Sequence, residues 1–177
     1  KSVENSDMRQ HYEDAWGRSL DPVKGLTVVE IMNAINDGDI SGMYIMGENP
    51  AMSDPDQRHA RQALSKLDNL VVQDIFFTET AWFADIIFPA SAQAEKLGTY
   101  TNSNRQIQLG RPVLEMPGDA RQDWELIVDL AKRCGLKWEY DSVADVYEEM
   151  AGHMRSLDNI SWARLEKEGS VCYPSFG

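Results

Sequence analysis

Three short apolar runs, the first two joined by a helix-like segment, constrain the fold more than any other feature of this chain. The runs cover residues 43–46, 70–75 and 86–88. Between the first two, small and apolar residues recur at helical spacing, namely Ala60, Ala63, Leu64 and Leu67. Strand, helix and strand within roughly thirty residues is the length of a βαβ unit. The sequence therefore predicts an α/β fold with a three-layer, Rossmann-like βαβ core and a short parallel sheet.

Local signals predict where the helices of this core begin. Thr27 and Glu30 have the spacing of a capping box, in which each side chain bonds the other residue's backbone amide. Gly38 is a natural stop for the helix that follows. For the crossover helix, Asp54 is the predicted cap and Pro55 the predicted first residue. Free amides at the start of that helix would attract a diphosphate.

We divide the chain into three segments by composition. Residues 1–24 are polar and are predicted to connect the chain to a neighbouring part. Residues 25–90 form the predicted α/β half-domain. Residues 91–177 are predicted to comprise a loop rich in Ser, Thr and Asn, a strand near residues 105–109, and then a mainly helical segment of an adjoining domain.

The acidic composition restricts the partners of the chain. Its 177 residues carry a net charge of −12, which disfavours nucleic acid because phosphates would meet a repulsive field. No apolar run approaches ~18 residues, so we predict no membrane insertion. Cys134 and Cys172 lie far apart and the histidines are scattered, so we expect no disulfide and no metal site, and a cytoplasmic location. Cys134 is predicted to be buried on its helix.

The polar loop after the first strand is a candidate ligand site. Ligands of such folds lie beyond the carboxyl ends of the strands, where this chain has Gly47, Glu48 and Asn49. Gly47 allows a close approach of the backbone, and Asn49 offers a side-chain amide. The glycine-rich fingerprint of NAD sites is absent, so an ordinary strand-to-helix turn is the alternative.

Five further polar residues are candidates, each with a simpler structural role as the alternative. Gln73 and Asp74 end the second strand, where an acid can bind ribose hydroxyls or be satisfied by the local backbone. For Thr78, a role as a cap or turn residue is the first interpretation and a role as a ligand is the second. Lys96 is either a solvated lysine or a phosphate partner. Asp123 precedes a helical pattern and suits a helix N-terminus.

Taken together, four segments resemble the molybdopterin oxidoreductase family in order and spacing. They are GENP, VVQDIFFTETAWFADIIFPA, AEKLGTYTNSNRQIQLGRPV and PGDARQDWELIVDLAKRCG, which begin at residues 47, 71, 94 and 117. Within the family, the likeness is to catalytic (alpha, major) subunits of soluble, NAD-linked formate dehydrogenases. The alternatives are another member, such as a nitrate reductase, and a non-catalytic module that binds nucleotides or a partner.

The resemblance implies a molybdenum or tungsten ion held by two molybdopterin guanine dinucleotides (bis-MGD), with formate oxidised to CO2. One dinucleotide is expected to contact Gly47, Glu48, Asn49, Gln73, Asp74, Thr78, Lys96 and Asp123. The 4Fe-4S cluster and NAD belong to the parent enzyme only. The family's metal-ligand segment has no counterpart here, so we expect an inactive internal fragment with no catalytic residue, metal ligand or bound cofactor. Its expected partners are the remaining domains of the same subunit and the other formate dehydrogenase subunits.

Overall fold

The computed structural model describes residues 2–176, which divide into two compact units. The first unit comprises the chain up to Val71 together with Glu79–Asp85, and the second comprises Val72–Thr78 and the chain from Ile86 onward. The helices are α1 Ser6–Trp16, α2 Val28–Asp37, α3 Pro50–Ser53, α4 Gln57–Leu64, α5 Asp123–Arg133, α6 Val143–Gly152 and α7 Trp162–Glu168. The strands are β1 Gly42–Met46, β2 Asn69–Asp74, β3 Ile86–Pro89, β4 Gly98–Thr101, β5 Gln106–Gly110 and β6 Ser170–Cys172.

The predicted strands form a three-stranded sheet in the order β1-β2-β3. The backbone amide of Asp85 donates to the carbonyl of Leu70 at 2.9 Å, and that of Ala90 donates to Asp74 at 3.0 Å. Donor and acceptor positions therefore advance together along β2 and β3, as in a parallel pair. The α/β class and the short parallel sheet are confirmed.

Helix α2 begins and ends where the sequence predicts. The hydroxyl of Thr27 accepts from the amide of Glu30 at 3.4 Å, and the carboxylate of Glu30 accepts from the amide of Thr27 at 2.6 Å. Bonds to Thr27, the backbone amide first, lower the pKa of Glu30. Gly38 follows in the left-handed region at φ 87°. Met32 and Ile35 pack on Ala60 and Ala63 of α4, whereas Val28, the first residue of α2, is exposed.

Removing the hydroxyl cap should weaken the first unit. Thr27→Ala is expected to lower the free energy of unfolding by about 1 kcal/mol, because an N-cap side chain satisfies an amide that the helix itself cannot. Urea denaturation measures the difference. Asn33→Ala is the matched control, since Asn33 is an exposed residue in the middle of the same helix and should change stability by less than about 0.5 kcal/mol. Equal effects of the two substitutions would contradict a role for the cap.

The start of the crossover helix differs from the prediction. Asp54 ends the short helix α3, and α4 begins at Gln57 with Asp56 as its cap. The carboxylate of Asp56 accepts from the amide of His59 at 3.0 Å. Two acids flank Pro55, so either could cap the helix; Asp54 instead ends α3, and Asp56 caps α4.

The second unit contains a sheet that the sequence analysis missed. Strands β4, β5 and β6 form an antiparallel sheet in that order. Tyr100 pairs with Gln108, and Ile107 pairs with Val171. Residues 98–101, which we predicted as loop, are therefore a strand. Strand β6, Ser170–Cys172, lies near the end of the segment that we predicted to be mainly helical.

Helices α6 and α7 and the second sheet enclose the core of the second unit. Its buried members are Ile107, Tyr147, Ala151, Leu157, Ile160, Trp162, Leu165 and Val171. The hydroxyl of Tyr147 donates to the carbonyl of Ile160 at 2.7 Å, which satisfies the one polar group of a buried ring. Helix α6 begins after the Ser142 cap. Cys134 ends α5 and is exposed, so the prediction that it is buried is wrong.

Helix α1 lies inside the predicted connecting segment, 1–24. Asn5 caps it by accepting from the amide of Met8 at 3.0 Å, and Gly17 ends it in the left-handed region. None of its residues is buried, so no apolar stripe revealed the helix in the sequence. Within residues 2–176, no helix is both long enough and apolar enough to cross a membrane.

Candidate nucleotide-binding site

The loop after β1 holds three of the candidate residues in the first unit. Gly47 has φ 64° with open space where a side chain would lie. A residue with a side chain would be strained at that backbone angle. Glu48 is exposed, and Asn49 immediately precedes Pro50, the first residue of α3. The loop is therefore a tight, glycine-dependent turn that leads into a four-residue helix rather than directly into the crossover helix.

The side chain of Asn49 is held by hydrogen bonds to a later part of the same unit. Its Oδ1 accepts from the backbone amide of Thr80 at 3.1 Å and from the hydroxyl of Thr80 at 2.8 Å. The same Thr80 hydroxyl oxygen accepts from the amide of Ala51 at 3.1 Å. Thr80 is fully buried. We refer to Asn49, Glu79 and Thr80 as the Asn49 network.

Glu79 is the third member of the network. Its Oε2 accepts from the side-chain amide of Asn49 at 2.7 Å. This hydrogen bond is the main reason why the pKa of Glu79 lies below its ordinary value. The carboxylate is therefore ionised at neutral pH. Neither Glu79 nor Thr80 was predicted as a site residue, since the sequence indicates only turn residues there.

In the second unit, three candidates from separate elements meet in what we call the Asp123 cluster. The side-chain amide of Gln73 donates to Oδ1 of Asp123 at 2.7 Å. The ammonium group of Lys96 forms a salt bridge with Oδ2 of the same carboxylate. Gln73 lies at the end of β2, and Asp123 is the first residue of α5. The cluster thus lies beyond the carboxyl end of a strand, where α/β folds bind their ligands.

The burial of the cluster makes its interactions stronger than those of an exposed pair. Gln73 is fully buried, and the side chains of Lys96 and Asp123 are only 24% and 31% exposed. Lys96 also donates to the carbonyl of Ser91 at 3.0 Å. Since each carboxylate oxygen of Asp123 has two lone pairs, the present bonds leave acceptor capacity on both oxygens. The cluster offers an ammonium donor and a carboxylate acceptor within one small region.

Ser91 adds a polar atom beside this cluster. The residue is 1% exposed, and its hydroxyl oxygen has no hydrogen-bond partner among the described residues. Buried polar groups are nearly always paired, so such an atom calls for a ligand, a water molecule or a further segment. The sequence did not single out Ser91, because one serine in a Ser-rich loop carries no distinguishing signal.

The other two candidates make local contacts. Oδ1 of Asp74 accepts from the amides of Ile75 and Phe76 at 2.7 and 3.2 Å. This is the local backbone role that the sequence left open, although it uses only one carboxylate oxygen. The backbone amide of Thr78 donates to the carbonyl of Phe76 at 3.0 Å. In the part of the chain that the structure describes, no group of three or more His, Cys, Asp or Glu residues could hold a metal ion.

Comparison with known proteins identifies the family. A family model described as Molybdopterin oxidoreductase matches residues 8–133, which include every candidate residue. This chain belongs to the molybdopterin oxidoreductase family. The match covers both the Asn49 network and the Asp123 cluster, so the two sets of contacts belong to the region that the family shares.

Curated members of the molybdopterin oxidoreductase family include close relatives of the chain. The F420-dependent formate dehydrogenase subunit alpha of Methanocaldococcus jannaschii is 43% identical over 160 residues, which are 89% of this chain and 24% of that protein. The assimilatory nitrate reductase catalytic subunit of Bacillus subtilis is 38% identical over 98% of this chain and 26% of its own length. A putative formate dehydrogenase of B. subtilis is 38% identical over 95% of this chain and 17% of its own length. The chain thus spans about a quarter or less of these relatives.

A solved enzyme structure has the same fold. Acetylene hydratase from Pelobacter acetylenicus superposes with a TM-score of 0.69 over 98% of this chain and 25% of that enzyme, at 20% sequence identity. At that identity the likeness supports the fold alone. The fold of this molybdopterin oxidoreductase chain therefore matches one quarter of a known structure.

Proposed function

We propose that this chain is part of the catalytic subunit of a formate dehydrogenase and helps to bind one dinucleotide of a bis-MGD cofactor. The observation that carries the proposal is the Asp123 cluster, which joins a carboxylate and an ammonium group beyond the end of β2. The 43% identity with a formate dehydrogenase subunit alpha supports formate as the substrate of the parent.

The chemistry of the cluster fits the guanosine part of such a dinucleotide. Guanine presents N1–H and an exocyclic amine side by side, and both can donate to the carboxylate of Asp123. Adenine has no such pair of donors on that edge. Lys96 partly neutralises the carboxylate and is also suited to a phosphate oxygen. The unpartnered hydroxyl of Ser91 nearby agrees with a polar ligand at this place.

The loop of the first unit fits a different part of the cofactor. Gly47 adopts a backbone angle that permits close approach, with open space on its side-chain side. We propose that the backbone amides of residues 47–49 bind the diphosphate, with Glu48 at the rim. In the second unit, Asp74 would bind ribose hydroxyls through its second carboxylate oxygen, and Thr78 would support the same region.

Within the parent enzyme, the cofactor would supply the molybdenum or tungsten centre for formate oxidation. The residues of this chain would bind and orient the cofactor without touching formate. The 4Fe-4S cluster and NAD as the final acceptor are part of the same proposal, with F420 as the alternative acceptor that the M. jannaschii relative names. The proposed partners are the remaining domains of the subunit and the other subunits of the enzyme, in the cytoplasm.

A nitrate reductase is the second candidate function. The catalytic subunit from B. subtilis shares 38% identity over 98% of this chain. The residues of the Asp123 cluster would bind a dinucleotide in either enzyme, so they do not discriminate between the two substrates.

The substrate is tested with the full-length parent subunit, purified with its cofactor. We expect formate-dependent reduction of a viologen dye and no nitrate-dependent oxidation of the reduced dye. The opposite pattern would select the nitrate reductase. The 177-residue chain is the matched control, because it is expected to lack metal by elemental analysis and to show neither activity. Stoichiometric metal with turnover in the chain itself would contradict the proposal that it only helps to bind the cofactor.

A further inference from the structure

Thr80 forms hydrogen bonds both with the loop after β1 and with helix α3, which follows that loop. Its backbone amide and hydroxyl both donate to Oδ1 of Asn49, at 3.1 and 2.8 Å. Its hydroxyl oxygen accepts from the amide of Ala51 at 3.1 Å. One buried side chain therefore fixes the last residue of the loop and the second residue of the helix that follows it.

This arrangement determines the shape of the loop because Asn49 has little freedom left. Its Oδ1 accepts two hydrogen bonds, and its amide group donates to Glu79 at 2.7 Å. Asn49 is not a regular N-cap of α3, since its side chain makes no capping bond to that helix. The hydroxyl of Thr80 takes over this function by accepting from Ala51. A residue far along the chain thus replaces the missing local cap.

We infer that Thr80 is a positioning residue, which acts through Asn49 to preorganise the backbone amides of residues 47–49 for an anionic ligand. The inference rests on the proposed function, since it names the support of the diphosphate-binding loop. Thr80 is fully buried and does not itself touch the ligand. Its effect should therefore be common to all nucleoside diphosphates, whatever the base.

The first test is hydrogen exchange of the Ala51 amide in the 177-residue chain, measured by NMR. Thr80→Val keeps the shape of the side chain but removes the hydroxyl, so exchange at Ala51 should be about tenfold faster or more. Thr80→Ser keeps the hydroxyl and should return exchange to within about threefold of wild type. Thr101→Val, at an exposed position of β4, is the control and should leave Ala51 unchanged. Unchanged protection in Thr80→Val would overturn the inference.

A second variant covers the case in which Thr80→Val does not fold. Asn49→Ala removes the oxygen that accepts both hydrogen bonds from Thr80, and it leaves Thr80 itself unchanged. The amide of Thr80, which donates to Asn49, should then exchange about tenfold faster. Wild-type exchange at Thr80 in this variant would show that the bond does not hold the loop and would overturn the inference.

The second test is the affinity for GDP and ADP. Thr80→Val should weaken both about fivefold and leave their ratio unchanged, since a diphosphate is common to the two ligands. Thr80→Ser should restore both affinities. If Thr80→Val speeds exchange at Ala51 but leaves both affinities within about twofold of wild type, Thr80 is only structural and the inference fails. If wild type binds neither nucleotide while exchange changes as expected, the proposed function fails and the loop-holding role of Thr80 stands.

Discussion

Asp123→Ala is expected to lower the free energy of unfolding by about 2 kcal/mol, the range for hydrogen bonds to charged groups. The substitution removes the acceptor of Gln73 and the counter-charge of Lys96 in one step. Gln73 is fully buried, so the loss of this acceptor is not compensated by water. Among the described residues, Lys96 keeps its bond to the carbonyl of Ser91. The partial exposure of the pair keeps the effect below that of a fully buried ion pair.

Two further variants separate charge from hydrogen bonding. Asp123→Asn keeps an oxygen that can accept from Gln73 but loses the charge, so it should cost about 1 kcal/mol. Asp119→Ala is the matched control, because Asp119 is an exposed acid on the preceding turn and should change stability by less than about 0.5 kcal/mol. Urea denaturation of the three variants measures these differences. A value for Asp123→Ala equal to that of Asp119→Ala would show that the cluster does not stabilise the fold.

Features that depend on neighbouring residues could be predicted from the sequence. The cap at Thr27 and the stop at Gly38 appear as expected, because each uses groups within one helical turn. The parallel sheet was predicted because its strands are apolar runs separated by a crossover. The cap of α4 was assigned to the wrong acid, since Asp54 and Asp56 lie two residues apart and either can cap a helix.

Features that depend on distant residues could not be predicted. Strand β5 pairs with β6, which lies near the end of the chain, and no local sequence pattern indicates that pairing. Strand β4 was not predicted, because it lies in a segment rich in Ser, Thr and Asn. Its turn is closed by the side chain of Asn102, which accepts from the amide of Gln106 at 2.9 Å. Composition alone cannot distinguish such an ordered turn from a solvated loop.

The candidate site likewise contains residues that could be predicted from the sequence and residues that could not. The resemblance to a family selected Gln73, Lys96 and Asp123, and the structure brings their side chains together. Their contact with a nucleotide stays a prediction. Thr80 and Ser91 were missed because what distinguishes them is that they are buried. The burial of a single Ser or Thr cannot be predicted from the periodicity of apolar residues.

The guanine preference is the second large effect that we expect. The carboxylate of Asp123 can accept two hydrogen bonds from guanine and none of that kind from adenine. Each charge-assisted bond is worth roughly 1.5–3 kcal/mol, and less where water competes. Wild type should therefore bind GDP about tenfold more tightly than ADP. Since the chain spans about a quarter or less of its relatives' length, we expect the GDP dissociation constant still to be around millimolar.

Asp74 provides the contrast to Asp123. Its free carboxylate oxygen should bind ribose hydroxyls, which both nucleotides possess. Asp74→Ala should therefore weaken GDP and ADP alike and leave their ratio near that of wild type. Asp123→Asn should bring the ratio close to one, because it keeps one acceptor oxygen and replaces the other with an NH2 group that cannot accept from guanine. It should also disturb the fold less than Asp123→Ala.

The most direct test of the proposal is an NMR titration of the 177-residue chain with GDP and ADP, for wild type, Asp74→Ala, Asp123→Ala and Asp123→Asn. We predict a preference of about tenfold for GDP in wild type and in Asp74→Ala. We predict no preference in either Asp123 variant. A clear preference for GDP that survives in Asp123→Asn and Asp123→Ala would contradict the assignment of guanine to the Asp123 cluster, and Asp123 would then serve only to anchor Gln73 and Lys96 at the start of α5.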